Sequence, residues 1–267
     1  MKRASTGLRE PAVAGAFYPA TPGQLMRMVD ELLEAASTRP HSCPSPKALI
    51  APHAGYPYSG PIAASAFHLL AGRKEIDRVV LLGPSHYVGF HGLALPQTAG
   101  FDTPLGTVLI DCSAFSQLER FPQVRIFDRA HQPEHCIEVQ LPFLQRSLAA
   151  PRIVPLLVGE VGDPEVAEVI ELLWGGPETL VVVSSDLSHF LDYPRAQERD
   201  RRTADAIEQL NPEAIGPDDA CGNIGIRGLL VAARRRGLRA STLDLRTSGD
   251  TSGPRDRVVG YGAFAFH

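Results

Sequence analysis

The chain has 267 residues, 44% hydrophobic and 21% charged, with a formal net charge of −4. This is ordinary globular composition, and the slight negative charge gives no footing for a nucleic-acid partner. No run approaches the roughly 20 apolar residues of a membrane-spanning helix, and the opening MKRASTGLREPAVAG has charge but no apolar leader core; a cytoplasmic protein without a membrane partner is expected. Its four cysteines, Cys43, Cys112, Cys136 and Cys221, show no CxxC spacing and read as free thiols of a reducing compartment.

In chain order, Thr21-Pro22 supplies an N-cap and a first-turn residue for a helix with the apolar stripe Leu25, Met28, Val29, Leu32 and Leu33. Residues 37–46 read as a loop. A strand at 47–51, a helix at 60–71 carrying Ile62, Ala66, Phe67 and Leu70 inward, and a strand at 78–82 follow. An irregular section then offers a short strand at 92–95 and a turn entering a further strand at 101–108. Residues 135–148 have Ile137, Leu141, Leu144 and Leu148 at helical spacing, with Pro142 marking a kink or a later start. Strand 153–158, helix 164–173, strand 179–183 and a polar helix at 195–209 come next. Asn211-Pro212 opens a short element. A helix at 224–236 ends in Arg234-Arg235-Arg236, a cluster suited to the helix C-terminus. Residues 242–245 and 258–266 alternate as strand material, the last an antiparallel candidate. Strands alternating with helices predict a single α/β domain over 1–267, with a largely parallel central sheet flanked by helices.

One arrangement occurs three times: an apolar run passes directly into a short turn carrying histidine. The turns are Pro52-His53-Ala54-Gly55-Tyr56, Gly83-Pro84-Ser85-His86 and Ser184-Ser185-Asp186-Leu187-Ser188-His189. Open α/β sheets bind ligands beyond the carboxyl ends of such strands. His53 and His86 therefore read as two neutral imidazole ligands from neighbouring strands, or as imidazoles that only bond loop carbonyls. Asp186 and His189, three apart, would share a face if the turn starts a helix, and a carboxylate beside an imidazole suits a general base. The alternative is N-capping, with His189 turned outward.

Glu134-His135-Cys136-Ile137-Glu138 reads as a helix start. Its glutamates suit the positive end of the helix dipole, or His135 and Glu138 face a pocket. Cys221, just before an apolar helix, is either a thiol of lowered pKa ready to ligate metal or a buried inert cysteine. Cys112 and Cys136 read as packing residues and Cys43 as a surface-loop residue. His41, His68, His91, His131 and His267 have no local constellation. The absence of HExxH, a Walker loop, GxGxxG and GxSxG argues against zincins, P-loop enzymes, Rossmann dehydrogenases and α/β-hydrolases.

Taken in order, Gly15-Ala16-Phe17-Tyr18-Pro19, Ala51-Pro52-His53-Ala54-Gly55-Tyr56, Leu82-Gly83-Pro84-Ser85-His86, Glu134-His135-Cys136-Ile137-Glu138, Pro155-Leu156-Leu157-Val158-Gly159, the 184–189 turn and Cys221-Gly222 resemble the Memo family. Its prokaryotic members are called AmmeMemoRadiSam system protein B. The resemblance implies the fold of the class III extradiol dioxygenases and one transition-metal ion held by His53, His86 and Cys221. It implies an acid–base role for His189 with Asp186 nearby, and His135 and Glu138 on the pocket wall; Tyr56, in its glycine-rich turn, is expected to shape the mouth. Iron or copper is the expected metal, with zinc as the alternative.

Dioxygenases hold iron with two histidines and a carboxylate. A thiolate in the third place shifts preference toward softer metals, so ring cleavage does not carry over. The family expectation is thus a mononuclear non-haem redox enzyme acting on a small-molecule substrate. A non-enzymatic metal-binding or adaptor protein and a metal-assisted hydrolase are the alternatives. By family analogy, AMMECR1-like and radical-SAM proteins are the expected partners.

Overall fold

The computed structural model describes residues 7–38 and 45–267. The chain runs β1 (Leu8–Arg9), α1 (Pro22–Ser37), β2 (Ala48–Ala51), α2 (Tyr56–Phe67), β3 (Arg78–Pro84), β4 (Leu93–Leu95), β5 (Gly100–Thr103) and β6 (Gly106–Leu109). It continues through α3 (Ser113–Leu118), β7 (Val124–Ile126), α4 (Asp128–His131), α5 (Leu141–Ser147), β8 (Arg152–Val158), α6 (Asp163–Leu172), β9 (Thr179–Ser184) and β10 (His189–Leu191). The last elements are α7 (Tyr193–Glu208), α8 (Asn223–Arg236), β11 (Ala240–Thr247) and β12 (Val258–Phe266).

Among the described residues, a nine-stranded open sheet forms the centre. Its middle is parallel, in the order β2-β9-β3-β8. The margins turn antiparallel: β12 pairs with β2, β11 and β10 pair with β12, and β4 pairs with β8 while β7 lies parallel to β4. The sheet is thus mixed at its edges around the expected parallel core. A separate three-stranded sheet joins β1, β5 and β6.

The parallel strands are continuous apolar runs because both of their faces are covered. Alternate residues part to opposite sides. Leu49, Val79, Leu81, Leu157 and Val182 enter a core with α1, α2 and α5. Ile50, Val80, Leu82, Leu156 and Val183 enter a second core with α6, α7 and α8. In the first core Phe67 of α2 stacks on Phe143 of α5, with centroids 5.3 Å apart.

Element boundaries move mainly at prolines. α2 starts at Tyr56, four residues before the expected 60, with Pro57 in its first turn, where no N–H is required. Conversely, Pro142 delays α5: a 3₁₀ turn at Glu138–Gln140 precedes it, and the helix starts at Leu141. Glu134 therefore opens no helix. The expected loop 37–46 loses Ser37 to α1, and the rest of it, with His41 and Cys43, falls largely outside the described residues. Cys112 is exposed rather than packed, whereas Cys136 is buried. Among the described residues, no helix is long and apolar enough to cross a membrane.

For function, the register matters most. Ala51 lies opposite Ser184, and Leu82 opposite Val183. The turns after β2, β3 and β9 consequently leave the same end of the sheet side by side, and the segment entering α8 brings Cys221 to them.

Candidate metal centre

The side-chain donor atoms of His53, His86 and Cys221 lie within 4.8 Å of one another. Cys221 Sγ is 3.3 Å from His53 Nε2, and the rings of His53 and His86 meet edge to face at 5.1 Å. His53 is buried and Cys221 half-buried, while the His86 side chain keeps 27% exposure, so the cluster is reached from the His86 side.

Each donor is held from behind. Asp186 Oδ1 accepts the His53 backbone N–H at 2.8 Å, and His53 Nδ1 contacts Ser184 Oγ at 2.8 Å. Glu134 accepts the His86 backbone N–H at 2.6 Å and meets His86 Nδ1 at 2.8 Å. A carboxylate accepts only, so His86 carries a proton on Nδ1, and in the neutral ring Nε2 is left as a lone pair. The same carboxylate accepts from His135 N at 2.8 Å and Cys136 N at 3.1 Å. Burial alone would raise its pKa, but the His86 hydrogen bond and charge, with the backbone N–H groups, hold it at about 2. Glu134 thus orients His86, a role that sequence reading missed by assigning it to a helix dipole.

Burial, followed by the neighbouring imidazoles, holds the His53 pKa well below its usual value, so the ring is neutral and its lone pair available. Cys221 departs from expectation. α8 starts only at Asn223, and burial with the nearby Asp186 carboxyl pushes the thiol up to about 12 instead of down. Asp186 N–H donates to its sulfur at 3.3 Å. Such a buried sulfur becomes a thiolate only beside a cation. Two imidazole nitrogens and one sulfur fit a borderline or soft transition ion, and iron, copper and zinc all suit that donor set.

Around these donors the remaining candidates divide. His135 stacks on His86 at 4.7 Å and meets His53 edge-on at 5.5 Å, with the Phe17 ring tilted against it at 4.8 Å. His189 is exposed at the start of β10, and its Nδ1 donates to Leu187 O at 2.8 Å, leaving Nε2 unprotonated when the ring is neutral. The turn before it is not helical. Asp186 is spent on the His53 backbone rather than on His189, and burial raises its carboxyl above the usual carboxylate range.

Glu138 and Tyr56 do not take the expected places. Glu138 is fully buried and bonds Arg9 Nη1 at 2.7 Å, Tyr18 Oη at 2.6 Å and the N–H groups of Ala12 and Val13, tying down the N-terminal segment. Tyr56 is a core residue whose hydroxyl donates to Val139 O at 2.7 Å and whose ring packs on Phe143. Position in a motif does not encode which way a side chain points; the fold turns both away from the cluster. Asp200 of α7 is a further residue the sequence did not single out. It accepts Ser188 N–H at 3.0 Å behind His189, twelve residues away within a helix that reads as plainly polar.

His86, Glu134 and Cys136 also lie close enough to share an ion. Yet Glu134 is committed to four N–H groups, and the fully buried Cys136 thiol, its pKa raised by burial, donates to Pro84 O at 3.1 Å. This trio is scaffolding for the first site.

Residues 9–265 match the family described as Memo-like protein. The chain belongs to the Memo family. A MEMO1 family protein of Sulfolobus acidocaldarius is 34% identical, covering 95% of this chain and 97% of its own length. Counterparts in Saccharolobus solfataricus and Desulfurococcus amylolyticus are 35% and 32% identical, each covering 97% of this chain and 99% of its own. The Memo-family match therefore extends over the N-terminal strap, the histidine turns and the Cys221 segment alike.

Proposed function

We propose that this Memo-family chain is a mononuclear metal-dependent redox enzyme of dioxygenase-like type, with His53, His86 and Cys221 as ligands and iron or copper as the metal. The observation that carries the reading is the meeting of two imidazoles and one thiol at the carboxyl end of three adjacent strands. When bound, the ion would supply redox and Lewis-acid chemistry. The chain's own residues do the rest. His53 and Cys221 grip from the buried side and His86 from the open side. His135 walls the site by stacking on His86. His189, with Nδ1 tied to Leu187 O, offers Nε2 to take or give a proton to a small-molecule substrate. The unpaired thiols of Cys112, Cys136 and Cys221 agree with a cytoplasmic setting. AMMECR1-like and radical-SAM proteins are proposed as partners on family analogy.

The test is to load anaerobically purified protein with iron(II) and expose it to nitric oxide, a dioxygen mimic. A bound nitrosyl signal, kept in His189→Ala while oxygen-dependent turnover is lost, is the expected result. A saturated centre that takes neither nitric oxide nor dioxygen would sink the redox reading. Native zinc with no redox metal would turn it toward a hydrolase.

A further inference from the structure

Ser184 Oγ has one proton and two lone pairs to distribute. It donates to Cys136 O at 2.7 Å and accepts from Gln140 Nε2 at 2.7 Å. Its third contact, His53 Nδ1 at 2.8 Å, must then bring its own proton. That accounting sets His53 as the Nδ1–H tautomer and leaves a lone pair on Nε2, the atom that faces Cys221 Sγ at 3.3 Å.

Gln140 is what closes the accounting. It is fully buried, and its second amide proton goes to Pro52 O at 3.0 Å, the carbonyl immediately before His53. One side chain therefore restrains both the backbone entering His53 and the hydroxyl behind its ring. Its own carbonyl oxygen, Oε1, is buried with no partner among the described residues. Turning the amide over would set that oxygen against Pro52 O, two acceptors with no proton between them. An unpaired buried oxygen is unfavourable, and an apolar residue of similar volume would avoid it. The amide is needed here for its two donors.

We propose that Gln140 is a positioning residue of the metal centre: by donating to both Pro52 O and Ser184 Oγ it fixes His53 as an Nε2 donor aimed at the ion. The proposal rests on the reading of His53 as a ligand, and the experiment separates the two. Long-range proton–nitrogen spectra of metal-free, nitrogen-15-labelled protein report the His53 tautomer, and cobalt(II) titration reports ligation.

The wild type is expected to show the proton on Nδ1. Gln140→Met, which keeps the volume and removes the donors, is expected to mix in the Nε2–H form and weaken cobalt binding by about tenfold or more. Ser184→Ala should act in the same direction, and Ser184→Thr, which keeps the hydroxyl, should recover the wild-type tautomer. A wild-type proton on Nε2, or a Gln140→Met variant with unchanged tautomer and unchanged cobalt affinity, would overturn the proposal. Cobalt refused by the wild type, together with a tautomer shift in the variant, would remove the metal reading and leave the positioning role standing. If Gln140→Met does not fold, the wild-type tautomer and the two Ser184 variants decide.

Discussion

At the scale of single residues, the centre depends on groups that orient its donors as much as on the donors themselves. Glu134 shows this most plainly. Gln in its place can still accept one hydrogen bond, but it turns an amide NH₂ toward backbone N–H groups that need acceptors. Glu134→Gln is expected to weaken cobalt(II) binding by about 10–100-fold with the circular-dichroism spectrum unchanged, and unaltered affinity would show that His86 needs no orienting carboxylate. Of the cluster, His53 and His86 could be read from the sequence because each sits in a turn just after an apolar run, where side chains reach the sheet end, whereas Cys221 was joined to them by the family resemblance. Tyr56 and Glu138 lie in equally distinctive motifs but point into the core and toward the N-terminal strap. The carboxylate that serves His86 comes from a residue 48 positions away, Glu134, a through-space pairing that spacing along the chain does not encode.

At the scale of elements, the parallel strands could be read directly as apolar runs bounded by turns, since burial on both faces leaves no polar alternation to confuse them. β10 could not: three residues, two of them exposed, carry no period. The α4–β4 junction carries a pH prediction. His131 ends α4 and bonds Ala94 O of β4 through Nε2 at 2.9 Å, and burial lowers its pKa from 6.5 to about 4. The unfolded chain therefore binds a proton below pH 6.5, while the native state resists until about pH 4. Stability from keeping this ring neutral is fully present above the unfolded pKa and is lost as pH falls through that window, by about 3 kcal/mol in all. Asp200 acts in the opposite sense, because burial raises its carboxyl from 3.8 to about 6 and the native state takes that proton first. Only a difference isolates His131. His131→Gln, which retains a donor for Ala94 O, should lose less stability than wild type between neutral and mildly acidic pH in urea titrations. Parallel losses would remove His131 from the acid response.

For the whole molecule, the mixed sheet divides its labour by strand direction. The parallel centre aligns three strand ends and so builds the site. The antiparallel margins extend the sheet: β12 pairs with β2 and carries β10, and with it His189, on its other side. The α/β class was legible because strands and helices alternate along the chain, whereas the β7 and β10 pairings at the two margins rest on segments too short to read. An ion bound only by the native state must stabilise the entire fold, by about 4 kcal/mol when free metal stands 1,000-fold above Kd. Thermal unfolding with added iron(II) or cobalt(II) should therefore move to a higher midpoint in the wild type and stay put in His53→Ala.

The most direct test of the centre is an anaerobic cobalt(II) titration of wild type beside Cys221→Ser, followed by optical absorption. The account predicts one equivalent bound with a sulfur-to-cobalt charge-transfer band, which the serine variant lacks along with most of its affinity. Equal binding by both proteins, without that band in either, would contradict a site built on His53, His86 and the Cys221 sulfur.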